Sequence, residues 1–429
     1  AQSIGLYPDE NLQNYVNGIG QKLAAGSERP DLPWSFQVVD DPSVNAFALP
    51  GGFIFVTRGI LTTMNSEAEL ASVLGHEIGH VTAKHAVQQI SRAQVAQLGL
   101  GVGMLLSEDI RRFGGLASTG LSLLFLKYGR DDERQADQLG FRYSLQEGYD
   151  VREMDDVFQT LQRVSATGGS EGRLPEWLST HPFPESRIED TRARLDTLRA
   201  NLAGARVGRD VYLSHIDNVV YGPNPRQGYF EGSVFYLQEL KFRMDFPEQW
   251  QYQNQAAAVI AASPEGDAVV ELSFAGQGTP DQAARQFLSQ QGVRPGQTSQ
   301  NPVNGLPAVT SSFEAQTADG LLLRGVVTFL SYGGATYRIL AYTPANRISA
   351  YQNAFLATVQ SFEQVNDPEV LNVKPNRVQV VKLDRSMTLE EFNDRYPSTV
   401  PLETLAVIND VEPEGTFEAG ASVKRVTDR

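Results

Sequence analysis

Three of the five histidines in this 429-residue chain, His76, His80 and His85, sit in one short stretch, ASVLGHEIGHVTAKHA. His76 and His80 are four positions apart, so on a helix they stand one above the other and can grip a single ion. Glu77 is offset by about 100°, one helical step, close enough to reach a water on that ion without being a ligand. In this H-E-x-x-H arrangement zinc acidifies the water toward a pKa of ~7 and the glutamate takes its proton. Ser66, with Glu69 three residues later, is a capping-box signal for the start of that helix.

A catalytic zinc needs a third protein ligand, and the type of ligand divides the possibilities. In one pattern it is another histidine after a fixed glycine turn. His85 follows His80 with no glycine between them, and on a continuing helix it would lie roughly 180° from His76. It is therefore expected as a structural residue or as a partner of a ligand. The other pattern draws a glutamate from a second helix, and RDDERQADQLG offers Glu133. Asp137, one turn further on, is placed to accept a hydrogen bond from a ligand histidine. Taken alone, DDERQAD reads as an exposed acidic helix face. His181, between Thr180 and Pro182, must lie in a turn or loop. Arg187, six residues on, suits an anchor of that loop on a carboxylate, and a substrate contact fits as well.

Four segments in order, NAFALPGGFIFVTRG, HEIGHVTAKH, ERQAD and STHPFPESRI, give residues 1 to about 203 a specific resemblance. They are similar to metallopeptidase family forty-eight, the gluzincins that include HtpX-like, CAAX prenyl protease-like and BepA-like enzymes. The resemblance implies a helix-rich zincin domain with one zinc per chain, ligands at His76, His80 and Glu133, and Glu77 as general base. It also implies roles for His181 and Arg187 near the scissile carbonyl. His181 would then stabilise an oxyanion, or bind the zinc reversibly as a fourth ligand that holds the enzyme inactive. Gly129 stands where many relatives have serine; the metal site should stay intact while the start of the Glu133 helix loosens. The implied activity is that of a zinc metalloendopeptidase acting on unfolded or misassembled envelope proteins. The competing reading is a latent peptidase that works mainly as a chaperone-like or cell-wall-tethered binding module.

The elements that must position these residues are legible in outline. Residues 1–209 read as helix-rich with a small sheet: PWSFQVVDD and GGFIFVTRG are short and rich in Val, Ile and Phe. NAFALPGGFIFV is the candidate sheet edge for a substrate strand; Gly51 and Gly52 either admit another backbone or simply turn the chain. The apolar stretches at 95–106 and 115–126 are expected as core helices, with a mobile lid or a membrane-touching face as the alternative. Residues 210–365 form an expected antiparallel-sheet α+β domain, with hairpin turns at Pro264–Gly266 and Gly333–Gly334, similar to PsbP-like or DcrB-like modules. Residues 366–429 read as strand, helix, helix, strand and look like a LysM-type unit, for which peptidoglycan contact, partner docking or a structural role are open. The fold class expected is therefore α+β and multidomain.

Composition narrows the partners. A net charge of −15 repels nucleic acid and anionic lipid, so no nucleic-acid partner is expected. The absence of cysteine excludes disulfides and thiolate ligands, leaving imidazole and carboxylate for a metal. The longest apolar run is shorter than a bilayer span. The chain starts at AQSIGLYPDE without an initiator Met, which suits an exported, periplasmic form after removal of a signal peptide. A polypeptide is the expected partner, with peripheral membrane or peptidoglycan contact as further possibilities, and no motif speaks to oligomeric state.

Overall fold

The computed structural model describes residues 5–89, 128–166, 177, 180–182, 184–198, 200–255, 257–317 and 320–428. The stretches 95–106 and 115–126, for which core helices were expected, lie outside these residues.

Helix α1 (Glu10–Ala25) starts at Asp9, whose carboxylate accepts from the Leu12 N–H, and it buries Leu12, Val16, Ile19 and Leu23 on one stripe. That stripe covers a three-stranded sheet of β1 (Ser35–Val39), β2 (Ala46–Leu49) and β3 (Phe53–Thr57). The strand order is β1-β3-β2, with β1 parallel and β2 antiparallel to β3. The connector between the two expected strands thus holds a strand of its own. Its Ala46–Leu49 stretch alternates buried and half-buried and hairpins onto β3 through Gly51 and Gly52, at φ of 102° and 96°. These glycines turn the chain in a region closed to most side chains. Next come α2 (Arg58–Thr63), α3 (Glu67–Thr82), α4 (Arg130–Gln146), α5 (Glu153–Ala166), α6 (Pro184–Thr197) and α7 (Arg209–Ile216).

The middle of the chain is an antiparallel α+β unit. A four-stranded sheet, in the order β14-β6-β5-β4, comprises β4 (Tyr229–Glu231), β5 (Val234–Leu237), β6 (Phe242–Asp245) and β14 (Glu363–Gln364). A seven-stranded sheet runs β10-β11-β12-β13-β9-β8-β7. Its strands are β7 (Gln251–Asn254), β8 (Ala258–Ala262), β9 (Val269–Gly276), β10 (Val293–Ser299), β11 (Ala308–Gln316), β12 (Leu322–Tyr332) and β13 (Ala335–Pro344). Both expected hairpin turns are present, with Gly266, Gly333 and Gly334 at positive φ. Along β13, Ile339 and Ala341 share a core with Phe355 and Val359 of α9 (Ile348–Gln360), while Leu340 shares one with Ala284 and Phe287 of α8 (Pro280–Leu288). Alternation in the strand therefore sends the two helices to opposite faces.

The last unit holds α10 (Pro368–Leu371), β15 (Arg377–Lys382), β16 (Met387–Thr388), α11 (Leu389–Arg395), α12 (Leu402–Ile408), β17 (Thr416–Phe417) and β18 (Ser422–Thr427). β15 pairs antiparallel with β18, giving the expected strand-helix-helix-strand pattern, to which the short β16–β17 pair is added. This unit does not stand apart from the first one. Tyr212, Leu213 and Ile216 of α7, then Val219, Val220 and Val378, all belong to the core built on α1, α3 and the small sheet. Lys424 of β18 is fully buried and its Nζ donates to the carbonyls of Thr62 (3.1 Å), Thr63 (3.4 Å) and Met64 (2.7 Å) at the end of α2. Arg58 of α2 donates in turn to Val220 O (3.1 Å) and Gly222 O (2.6 Å).

Candidate metal centre

Residues 67–81 of α3 are all buried, so this helix is the spine of the first unit. Ser66 caps it by accepting from the Glu69 N–H at 3.0 Å. The Glu69 carboxylate accepts from Asn65 N–H at 3.0 Å, one residue earlier than a capping box places it. Helix α4 lies against α3 along small residues. A methyl group at Gly79 would meet Ala136 O at 2.9 Å, and one at Gly140 would meet His76 N at 2.7 Å. Only glycine permits this approach, and the approach puts Glu133 within reach of both histidines.

Four side chains converge there: His76, His80, Glu133 and His181 each offer one donor atom within 4.8 Å of the others, and all four are buried. His80 Nε2 lies 2.9 Å from His76 Nε2 and 3.4 Å from Glu133 Oε1. His76 Nε2 lies 3.6 Å from Glu133 Oε2. His181 Nδ1 lies 3.2 Å from His76 Nε2 and 3.0 Å from Glu133 Oε1. A tetrahedral zinc with bonds of ~2.0–2.1 Å requires donors spaced about 3.3 Å apart. The observed spacings scatter around that value, and three imidazoles with a carboxylate are zinc chemistry. The donor set fits the ion.

Glu77 faces this group. Both its oxygens are buried and without a hydrogen-bond partner among the described residues, and its Oε1 is 3.6 Å from His181 Nε2. Burial pushes its carboxyl up to about 7; Glu133 adds to the rise, while His181 and Arg187 oppose it. Burial also pushes the Glu133 carboxyl up, but His181 and Arg187 outweigh it and hold it well below the usual carboxylate range. For His76 burial dominates, with Arg187 adding to it, and its imidazole is lowered to about 4 although Asp137 and Glu133 pull the other way.

Asp137 accepts from His76 Nδ1 at 2.8 Å, as its spacing from Glu133 suggested. Arg187 is 3% exposed and forks onto Asp137, with Nε to Oδ2 at 2.8 Å and Nη2 to Oδ1 at 2.6 Å. Its Nη1 is 3.0 Å from Glu133 Oε2, and its guanidinium lies over Phe158 (4.4 Å) and Trp177 (4.6 Å). Of the two uses left open for Arg187, this geometry is that of an anchor. His181 sits in a bend, as its flanks required, with its amide donating to Trp177 O at 2.7 Å.

Sequence reasoning missed the aromatic walls. Trp177 stacks on His181 at 4.9 Å and Tyr128 on His80 at 3.9 Å. Neither stands in a periodic pattern, so nothing local marks them. The small-residue seam was findable: Gly75 and Gly79 are spaced four apart on α3, as are Ala136 and Gly140 on α4. A cavity of about 340 Å³ runs from Ala48, Leu49, Pro50 and Gly51 at the end of β2 to His80 and Tyr128. The outer edge of β2 carries no strand partner among the described residues.

Residues 10–195 match the family model described as Peptidase family M48. The match covers less than half of the chain, and this segment is similar to that family. A beta-barrel assembly-enhancing protease of Yersinia pestis is 30% identical to the chain over 205 residues, covering 46% of the chain and 42% of that protein. The mitochondrial metalloendopeptidase OMA1 of Arabidopsis thaliana is 36% identical over 182 residues, covering 42% of the chain and 35% of that protein. The chain thus spans less than half the length of these curated relatives. The solution structure of cyanobacterial PsbP from Synechocystis sp. PCC 6803 aligns with 32% of the chain and 95% of its own, at 12% identity and a TM-score of 0.27. That score is too low to assign the middle unit's fold.

Proposed function

We propose that the chain is a zinc-dependent metalloendopeptidase with ligands His76, His80 and Glu133. The observation that carries this is the buried, closely spaced donor set with the Glu77 carboxylate beside it, which has no hydrogen-bond partner among the described residues. Zinc held there supplies Lewis acidity to a water nucleophile and to the scissile carbonyl. Glu77, tuned near neutrality by burial, takes the water's proton on a carboxylate oxygen and later delivers it to the leaving amine nitrogen. Asp137 fixes the proton of His76 on Nδ1, and Arg187 acts as a positioning residue by holding Asp137 and Glu133. The substrate strand lies along the free edge of β2, with one side chain in the cavity that reaches His80.

The substrate class is unfolded or misassembled envelope protein, in a periplasmic or otherwise exported setting. The relatives' names support a quality-control role, and no helix among the described residues is long and apolar enough to cross a membrane. The chain divides into a peptidase unit from residue 1 to about 209, an α+β unit to about 365 and a C-terminal unit to 429. The peptidase core extends through Val220.

A specific observation favours a resting latent state. His181 Nδ1 lies 3.2 Å from His76 Nε2 and 3.0 Å from Glu133 Oε1, so it would offer a zinc held there a fourth donor in place of a substrate carbonyl or water. His181 is then a gate that must swing out before turnover.

Elemental analysis alongside cleavage of unfolded casein, with and without chelator, tests the reading. One zinc per chain and chelator-sensitive cleavage are expected, with Glu77→Gln keeping the zinc and losing at least ~10³-fold in turnover. A Glu77→Gln variant that still cleaves would falsify the assignment of the base. One zinc without cleavage in the native chain, and cleavage restored by His181→Ala, would establish the latent state.

A further inference from the structure

His85 is where the sequence-based geometry and the structure diverge most usefully. The helix that was expected to carry it to the far side of α3 ends at Thr82. Lys84 then adopts φ 61°, in the left-handed region, and the chain reverses locally. His85 is thereby returned to the metal group's outer side, 2% exposed. Its Nδ1 lies 2.9 Å from His80 Nδ1, and its Nε2 lies 3.0 Å from Gln135 Oε1 and 3.7 Å from Asp132 Oδ1.

The direction of these bonds follows from the partners. Two ring nitrogens can share a hydrogen bond only if one carries the proton and the other the lone pair. His85 Nε2 faces an amide oxygen and a carboxylate, both acceptors, so it carries a proton. Its Nδ1 is then free to accept from His80 Nδ1–H. With that proton on Nδ1, His80 keeps the lone pair on Nε2, the atom that faces His76, Glu133 and His181.

We propose that His85, seated on Gln135 and Asp132, is a positioning residue that locks His80 in its Nδ1–H form and fixes the plane of its ring. Helix α4 then backs both ligand histidines, through Asp137 for His76 and through Gln135, Asp132 and His85 for His80, besides supplying Glu133. The inference rests on the zinc reading above and extends it to residues outside the donor set.

The test is zinc affinity of the full chain, measured by competition with a chromophoric chelator, with the melting temperature of the zinc-free protein recorded beside it. Asparagine places a carbonyl oxygen close to the position of the histidine Nδ1, whereas leucine fills the space without an acceptor. His85→Leu is expected to weaken zinc binding ten- to a hundredfold while His85→Asn stays within about threefold of the native chain, at similar zinc-free melting temperatures. Native-like affinity in His85→Leu, or an equal loss in both variants, overturns the proposal. A second measurement needs no folded variant: ¹⁵N spectra of the histidines in the zinc-loaded native chain. A proton on His85 Nε2 and a bare Nδ1 support the relay; a proton on His85 Nδ1 overturns it. A native chain that takes up no zinc sinks the underlying zinc reading instead, which the same competition assay reports separately.

Discussion

Arg187 is the cation shared by two buried carboxylates beside the donor set. It lies between two carboxylates, Asp137 and Glu133, and two aromatic rings, with almost no access to water. Arg187→Ala leaves both carboxylates without their cation, and a loss of about 3–5 kcal/mol is expected, read as a lower denaturation midpoint of the zinc-free protein. Arg187→Lys keeps the charge but not the fork and should recover only part of it. The histidines set the acid limit. His76 is held near 4 by burial, below its ordinary value of about 6.5 in the unfolded chain. The unfolded state therefore binds the extra proton first, so the stability is fully present above about 6.5 and is lost as pH falls toward 4. His76 alone accounts for roughly 3 kcal/mol of this. Because the raised Glu77 carboxyl titrates with the opposite sign in this window, the check is zinc-free stability between pH 7 and 4 for the native chain against His76→Asn; identical pH profiles would refute the burial argument. The convergence of these side chains was legible in part because helix geometry is periodic: spacing put His76, His80 and Glu77 on adjoining positions of one helix and Asp137 one turn from Glu133, whereas Glu133 itself gained weight only beside the histidine helix and from the family resemblance. His85 was expected as a structural residue or a partner of a ligand, but its return toward His80 was not legible, because a single left-handed residue at Lys84 leaves no mark in composition.

Helices α3 and α4 meet where side chains are missing. Gly140→Ala would put a methyl group against the His76 backbone, which cannot shift without moving a ligand. A cost of about 1–3 kcal/mol is expected, together with weaker zinc binding. Gly18→Ala in α1 is the contrasting case, since nothing lies within 4 Å of the new methyl group. It should stabilise by up to ~1 kcal/mol through helix propensity alone. Thermal melts of the two variants, with and without zinc, separate the effects; equal shifts would contradict the close-approach explanation. The strands of the small sheet were legible as apolar runs. β2 was missed because AFAL is a four-residue strand whose pairing depends on the Gly51–Gly52 turn. Local pattern does not distinguish such a strand from a connector, and yet its outer edge, unpartnered among the described residues, is where the proposed substrate strand would lie.

At the scale of the whole molecule, the C-terminal unit is tied into the core of the first unit. Lys424 closes three carbonyls at the end of α2, immediately before the metal-bearing helix begins. Asp210 adds a contact to Ser422 at 2.8 Å and one to Lys382 at 3.1 Å. Lys424→Met should cost about 2–4 kcal/mol, because the carbonyls stay buried while their donor is gone. It should also split a joint calorimetric transition of the first and last units into two; a single unshifted transition would mean that the contact carries no stability. Sequence could not show this docking, since a lysine in the strand ASVKRV reads as an ordinary solvent-facing residue, and burial of its amine depends on a surface more than 350 positions away. The order of synthesis gives that contact a further meaning. All four candidate donors have been synthesised once residue 181 is added, whereas the amine that closes the end of α2, just ahead of the helix carrying two of them, arrives only with residue 424. A nascent chain therefore holds a complete set of zinc donors for most of its elongation without the strand that braces them, and the braced form of the site belongs only to chains translated past that strand.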